Sequence, residues 1–250
     1  MAIFKDCVCI AQARIIGGIK RGTHICTIAY HPSDDQFLRL CVPFSIGKSP
    51  LIKRWSVFDL NGTKDGLGND TRDETWNVTQ ICKKAAEITT AERNFIHSKI
   101  LSQYKYEFEL NQDKSSIGLL VPDKSSLSFY KKSYNPNNEK DLKQLDRVKF
   151  MADQGIWFPA YKIMVKGTYQ CEGGLRKFEK QLLSWDVYEA DRRGNVDPFQ
   201  QIYSYRNPYM ILGNLATKRR AFMVIGIHSA PDGYIERYAI NQQLALSVDR

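Results

Sequence analysis

Apolar residues in this sequence come in short, dense runs closed off by Gly, Pro, Asn and Asp. That pattern restricts most of the chain to strands joined by turns. The first run is Cys7-Val-Cys-Ile-Ala-Gln-Ala13, inside a predicted strand from Asp6 to Arg14 that stops before Gly17-Gly18. His24 to Tyr30 and Gln36 to Phe44 repeat the pattern around His31-Pro-Ser-Asp-Asp35, where Pro and Asp suit a tight reversal. Leu51 to Leu60 is a fourth extended piece, running into a Gly, Asn and Asp loop that ends at Asp70. Farther on, Tyr106 to Leu110, Ser116 to Val121, Phe158 to Cys171, Arg176 to Leu183, Tyr209 to Gly213 and Ala221 to His228 read as strands. Glu172-Gly173-Gly174 is the turn of a hairpin.

Helical spacing occurs in few places. Ile81, Ala85, Ile88, Phe95 and Leu101 predict the longest helix over Thr79 to Tyr104, with a break at Thr89-Thr90. Leu142, Leu145 and Val148 predict an amphipathic helix over Glu139 to Met151. Ser184 reads as the N-cap of a helix from Trp185 to Arg193, with Asp186 in its first turn and Gly194 just past its end. Tyr234 to Leu246 is the last predicted helix. The fold class is therefore mainly β with inserted helices, an α+β protein. A chain of 250 residues, 43% of them hydrophobic, can bury its own core without disulfides or metal. The element order predicts a first β unit over 1–132 with a helical segment inserted at about 73–104, a helical linker over 133–155, and a second β unit over 156–250.

Several of these runs also carry a family likeness. Cys7-Val-Cys-Ile-Ala-Gln-Ala-Arg14, Gly22-Thr-His-Ile-Cys-Thr-Ile-Ala29 and Phe37-Leu-Arg-Leu-Cys-Val-Pro43 resemble the bacterial dual OB-containing domain proteins. So do Trp185-Asp-Val-Tyr-Glu189, Asn207-Pro-Tyr-Met-Ile-Leu-Gly-Asn-Leu215 and Phe222-Met-Val-Ile-Gly-Ile227. The chain departs from that pattern at Gln12-Ala13, where the family has Asn-Ser. The resemblance implies two small OB-like antiparallel barrels, an association with mobile and antiviral defence loci, and no settled catalytic activity. OB barrels bind single strands or oligosaccharides across strands 2 and 3 and the flanking loops.

Charge narrows the partners. Thirty-six Lys and Arg against 27 Asp and Glu leave a formal +9, with a pI near 9.2, which favours a polyanion. No window approaches the ~18 apolar residues of a membrane span, so a cytoplasmic address and no membrane partner are expected. The six cysteines sit mostly in apolar runs and read as reduced thiols. Asn61-Gly-Thr, Asn69-Asp-Thr and Asn77-Val-Thr read as turns rather than glycosylation sites.

Lys53-Arg54-Trp55 sets two cations beside a large ring, the combination by which sequence-tolerant single-strand binders hold phosphate and base. Lys218, Arg219 and Arg220 form the densest positive spot, predicted at the tip between two apolar strands. Arg206 and Tyr209, with Tyr205, would extend that surface. Arg192-Arg193 is assigned to the C-terminal end of a helix dipole. Cys7, Cys9, His24 and Cys26 could in principle gather as metal ligands from neighbouring strands, but no C-x-x-C accompanies them and core packing is the better reading. No P-loop, G-x-G-x-x-G, G-x-S-x-G or H-E-x-x-H occurs. Glu92 and His97 share a predicted helix with no nucleophile nearby. The expectation is thus a non-catalytic module for single-stranded DNA or RNA within a larger system, with no cofactor and no metal. A partner protein of the same system is the further partner. The rival readings are a protein-interaction adaptor, a metal-dependent nuclease using Asp186 and Glu189, and a small-ligand sensor. Contact with about six phosphates would cost roughly a thousandfold in affinity between about 50 and 200 mM salt.

Overall fold

In a computed structural model, the apolar runs pair into two sheets. Residues 1–18, 22–44, 52–64, 72, 74–102, 110, 115–171, 174–194, 197–215 and 218–237 are described. The first sheet holds β1 (Ala2–Gln12), β2 (Ile16–Gly18), β3 (Gly22–His31), β4 (Gln36–Pro43), β5 (Ser56–Thr63) and β6 (Thr75–Glu87). Helix α1 (Thr90–Ser102) follows it. The second sheet holds β7 (Ile117–Leu120), β8 (Ser128–Ser133), β9 (Tyr161–Cys171), β10 (Gly174–Leu182), β11 (Pro208–Leu215) and β12 (Lys218–Ser229). Helix α2 (Glu139–Asp153) lies between β8 and β9, and α3 (Trp185–Arg193) and α4 (Pro198–Tyr203) lie between β10 and β11.

The two sheets share one pairing pattern. In the first, the order is β1-β5-β6-β4-β3, and β1 also pairs with β3, so the order returns to its starting strand. In the second, β8-β9-β10-β12-β11 ends on β7. Segment 117–133 thus takes the place of β1, split by a 3-10 turn at Lys124–Ser126 into a half that pairs with β11 and a half that pairs with β9. Each sheet has one parallel pair at the equivalent place, β4 with β6 and β10 with β12. The expectation of wholly antiparallel pairing fails there.

Two boundaries move as well. Residues 79–87, predicted as the start of a long helix, are the second half of β6. Pairing with β5 along one side overrides a helix-leaning sequence. The helix begins only at a capping box, where Thr89 Oγ1 accepts from the Glu92 amide at 3.2 Å and Glu92 accepts from the Thr89 amide at 2.7 Å. Segment 117–133, placed by sequence in the first unit up to residue 132, hydrogen-bonds into the second sheet. Asn61 and Asn77 lie in β5 and β6 rather than in turns. Leu142 of α2 is exposed, and Met151 and Val148 are the residues of that helix that pack inward. The predicted strand at Tyr106 to Leu110 falls almost wholly outside the described residues, as do Asn69 and the last helix beyond Arg237.

Three apolar clusters explain why some runs alternate and others do not. Cys7, Cys9, Ile25, Leu38, Leu40 and Phe58 fill the interior of the first unit. Ile163, Val165, Leu182, Met210, Leu212 and Val224 fill that of the second. Between the units lies a third cluster of Val8, Ile10, Ile28, Ile100, Tyr209, Ile211 and Ile225. β1, β11 and β12 are therefore buried on both faces, which is why they read as unbroken apolar runs. Cys26 belongs to the junction while Cys7 and Cys9 face the interior, so the four-ligand metal arrangement does not assemble. Burial pushes the Cys7 thiol up to about 12, with Asp59, Asp6 and Asp34 adding to the effect, and raises Cys9 further.

Polar groups seal the junction. Arg39, 5% exposed, donates from β4 to the Ser116 carbonyl at 3.1 Å and the Asn214 carbonyl at 2.5 Å. Arg72 reaches the same Asn214 carbonyl at 3.2 Å, and Glu74 accepts from the Ser116 amide at 3.0 Å. Gly226 lets β12 approach β1: a Cβ there would stand 2.7 Å from the Ala11 Cβ. Gly226→Ala is expected to lower stability by about 1–3 kcal/mol, because neither backbone can retreat. Urea unfolding measures it, and adding Ala11→Gly is expected to recover part of the loss.

Candidate nucleic-acid interface

A cleft of about 1150 Å³ opens where the two units meet. Its first wall is the turn at Lys53–Ser56, closed by the Ser56 amide on the Lys53 carbonyl at 2.9 Å. Trp55 occupies the third position of that turn with φ +68°, a left-handed conformation that costs a side chain roughly 1–2 kcal/mol. Its amide donates to the Cys9 carbonyl at 2.7 Å. Its ring meets His97 and His228 edge-on, at 5.1 and 5.3 Å between centroids, and the Arg93 guanidinium lies 5.3 Å from it. Packing thus holds the strained turn in place.

The second wall comes from the end of α2 and from α3. Helix α2 stops at Gly155, φ +65°, whose amide donates to Ala152 at 2.9 Å while the Ile156 amide donates to Met151 at 2.8 Å. This reversal seats Ile156 and Phe158 on the interior of the first unit and leaves Trp157, between them, 37% exposed in the cleft. Trp185, at the start of α3, is half-buried against the first unit, and Tyr205 also lines the cleft.

Four cations line the cleft, Lys53, Arg54, Arg192 and Arg193, against two carboxylates, Asp186 and Glu189. Arg54 spans the gap, donating to Asp186 at 2.5 Å and to the Ile227 carbonyl at 2.9 Å. Glu189 accepts from Arg192 through both oxygens, at 2.8 and 2.7 Å, and from Arg193 at 2.9 Å. Both carboxylates are thus engaged by guanidinium groups, which opposes their use as metal ligands. Among the described residues no group of three or more His, Cys, Asp or Glu is arranged to hold a metal ion.

The residues predicted from sequence divide. Lys53, Arg54 and Trp55 line the cleft, but Arg54 is committed to Asp186 and Ile227 and Trp55 packs edge-on against two histidines that themselves touch. Tyr209 is 0% exposed and cannot touch a polymer; its hydroxyl is 2.6 Å from His97 Nδ1. Arg206 lies away from the cleft, on the surface, paired with Asp232 at 2.9 Å. Lys218, Arg219 and Arg220 are the first residues of β12 rather than a loop tip, with Lys218 opposite Leu215; their side chains lie outside the described residues. Arg192 and Arg193, assigned from sequence to a helix end, join the cleft as well. Glu189 pairs with Arg193 along α3, whereas Asp186 pairs across the cleft and Ser184, read from sequence as the N-cap, makes no side-chain cap bond. Trp157 and Trp185 were missed. The Gly155 stop signal was available for the first, but nothing local to either shows that it lines the same cleft as Trp55.

Comparison with models of known protein families found no match, nor did comparison with curated proteins. Among solved structures, the chain is similar to one chain of a replication protein A heterotrimer bound to ssDNA, with TM-score 0.36 and 8% identity. The alignment covers 92% of this chain and 49% of that one, so this chain spans about half the length of its neighbour. At that distance, function has to be argued from the residues of this chain. No helix among the described residues is long and apolar enough to cross a membrane.

The histidines behind Trp55 make stability depend on pH. Burial, then Arg93 and Arg54, lowers the His97 pKa from 6.5 to about 4, and burial, then Arg54 and His97, takes His228 well below 6.5. The folded state holds both rings neutral while the unfolded chain takes up protons below about pH 6.5, so their contribution is complete above that value and is lost as pH falls toward 4. For His97 the loss is on the order of 2–3 kcal/mol. Urea midpoints between pH 7 and 4 are expected to fall accordingly, and less steeply in His97→Gln.

Proposed function

We propose that the protein binds single-stranded nucleic acid, DNA or RNA, in the cleft between two OB-type barrels, as a module that does no chemistry on the strand. The repeated pairing order, with its one parallel junction in each unit, supports the barrel reading. The observation that carries the binding reading is the placement of Trp157, 37% exposed, in one cleft with Lys53, Arg192 and Arg193. An accessible ring offers a base its face, and nearby cations neutralise phosphates. Trp55 serves as a wall rather than a platform. In this reading the protein works in the cytoplasm within a larger assembly, an antiviral defence system on the family resemblance, beside a partner protein.

Fluorescence anisotropy with labelled oligo-dT and oligo-rU tests the proposal. Trp157→Ala is expected to weaken binding by about 1–3 kcal/mol, roughly 5- to 150-fold. With three cations engaged rather than six, affinity is expected to fall roughly twenty-fold between about 50 and 200 mM salt. Arg206→Ala, outside the cleft, should leave affinity unchanged. Salt-insensitive binding, or equal losses in the Trp157 and Arg206 variants, would overturn the assignment. A salt-resistant co-purifying protein with no bound nucleic acid would favour the adaptor reading instead.

A further inference from the structure

A smaller cavity of about 220 Å³ lies beside the cleft, with Ile15 in the wall of both. Arg14 lines it and is 7% exposed. Its Nη2 donates to the Tyr134 hydroxyl at 3.2 Å, and its guanidinium lies 4.5 Å from the centroid of Phe158 and 5.3 Å from that of Tyr188. Nε and Nη1, which carry three of the five guanidinium N–H groups, have no acceptor among the described residues. Arginine does not relieve such burial by losing its proton, so the stranded donors call for an acceptor from outside.

The surroundings specify its charge. Lys140 and Arg147 line the same cavity, and neither is paired with a carboxylate among the described residues. The one carboxylate among the described residues that line it, Asp141, is occupied by Lys162 and by the Asn135 amide at 3.1 Å. Three cations with no carboxylate bonded to them among the described residues thus line a pocket below the roughly 300 Å³ of a drug-sized site. We propose that this cavity binds the phosphate group of a phosphorylated ligand, with Arg14 as the buried anchor and Lys140 and Arg147 at the rim. A phosphate brings more acceptor oxygens than a carboxylate and matches three cations better. The volume suits the phosphate and the group that bears it, either on a free small molecule or at the end of a strand.

Calorimetric titration of the full chain with inorganic phosphate tests the cavity by itself, whatever the cleft does with a strand. Saturable one-site binding is expected, at least tenfold weaker in the Lys140→Gln/Arg147→Gln double variant with an unchanged melting temperature. Arg14→Met is expected to abolish binding while melting no lower than the parent without phosphate, because the stranded buried charge is gone. Should that variant fail to fold, the double variant decides. Tighter binding of a 5′-phosphorylated oligonucleotide than of its 5′-hydroxyl form, lost in the double variant, would identify a strand end as the source. Equal affinities for the two oligonucleotides, with phosphate binding intact, would identify a free phosphorylated molecule. Absence of saturable phosphate binding, or undiminished binding in the double variant, would overturn the proposal.

Discussion

The structure depends on three strands having no solvent face. β1 sends Cys7 and Cys9 into one interior and Val8 and Ile10 into the junction, while β11 and β12 do the same from the other unit with Met210 and Ile211, and Val224 and Ile225. Neither unit separates without exposing a continuous apolar surface, at roughly 25 cal/mol per Å². Arg39, Arg72 and Glu74 then fix the register, because they hydrogen-bond to Ser116 and Asn214 across the junction. Apolar burial supplies the attraction. The buried hydrogen bonds select one arrangement among those that burial alone would allow.

The cleft is a consequence of that junction. Joining the units brings a strained turn before β5, the reversal after α2 and the helix α3 into one concavity, although they are far apart in the chain. Arg54 shows the coupling, since it begins in the first unit and ends on Asp186 and Ile227 of the second. The four cleft cations have different tasks. Arg54 braces the walls, whereas Lys53, Arg192 and Arg193 remain at the surface, where a phosphate can compete with Glu189 for the two arginines.

Buried arginine recurs with different outcomes. Arg39 has five-per-cent exposure and carbonyl acceptors for both Nη atoms, leaving Nε alone unanswered, while Arg14 is buried nearly as deeply with Nε and Nη1 both unanswered. Arg39 lies in β4 and Arg14 just past the end of β1, and depth does not separate them. What differs is the availability of carbonyls: the end of β11 offers one to Arg39, and the walls around Arg14 are aromatic and cationic.

The sequence by itself determined many of the strands, though not β2, β6 or β8, and the ends of α2 and α3. Apolar runs such as Cys7-Val-Cys-Ile and Tyr209-Met-Ile-Leu have few other ways to bury themselves, and Gly194 ends α3 with φ +65° as its position implied. The capping box at Thr89 and Glu92 was equally local, although the helical spacing around it pointed to an earlier start. Tertiary structure alone decided that residues 79–87 pair as a strand, that 117–133 belong to the second sheet, and that Tyr209 faces the junction rather than a ligand. It also brought Trp157 into one cleft with Lys53. Periodicity reports which residues leave water, but sheet partners and cleft walls are chosen by contacts between distant segments, and those leave no mark in any local stretch of chain.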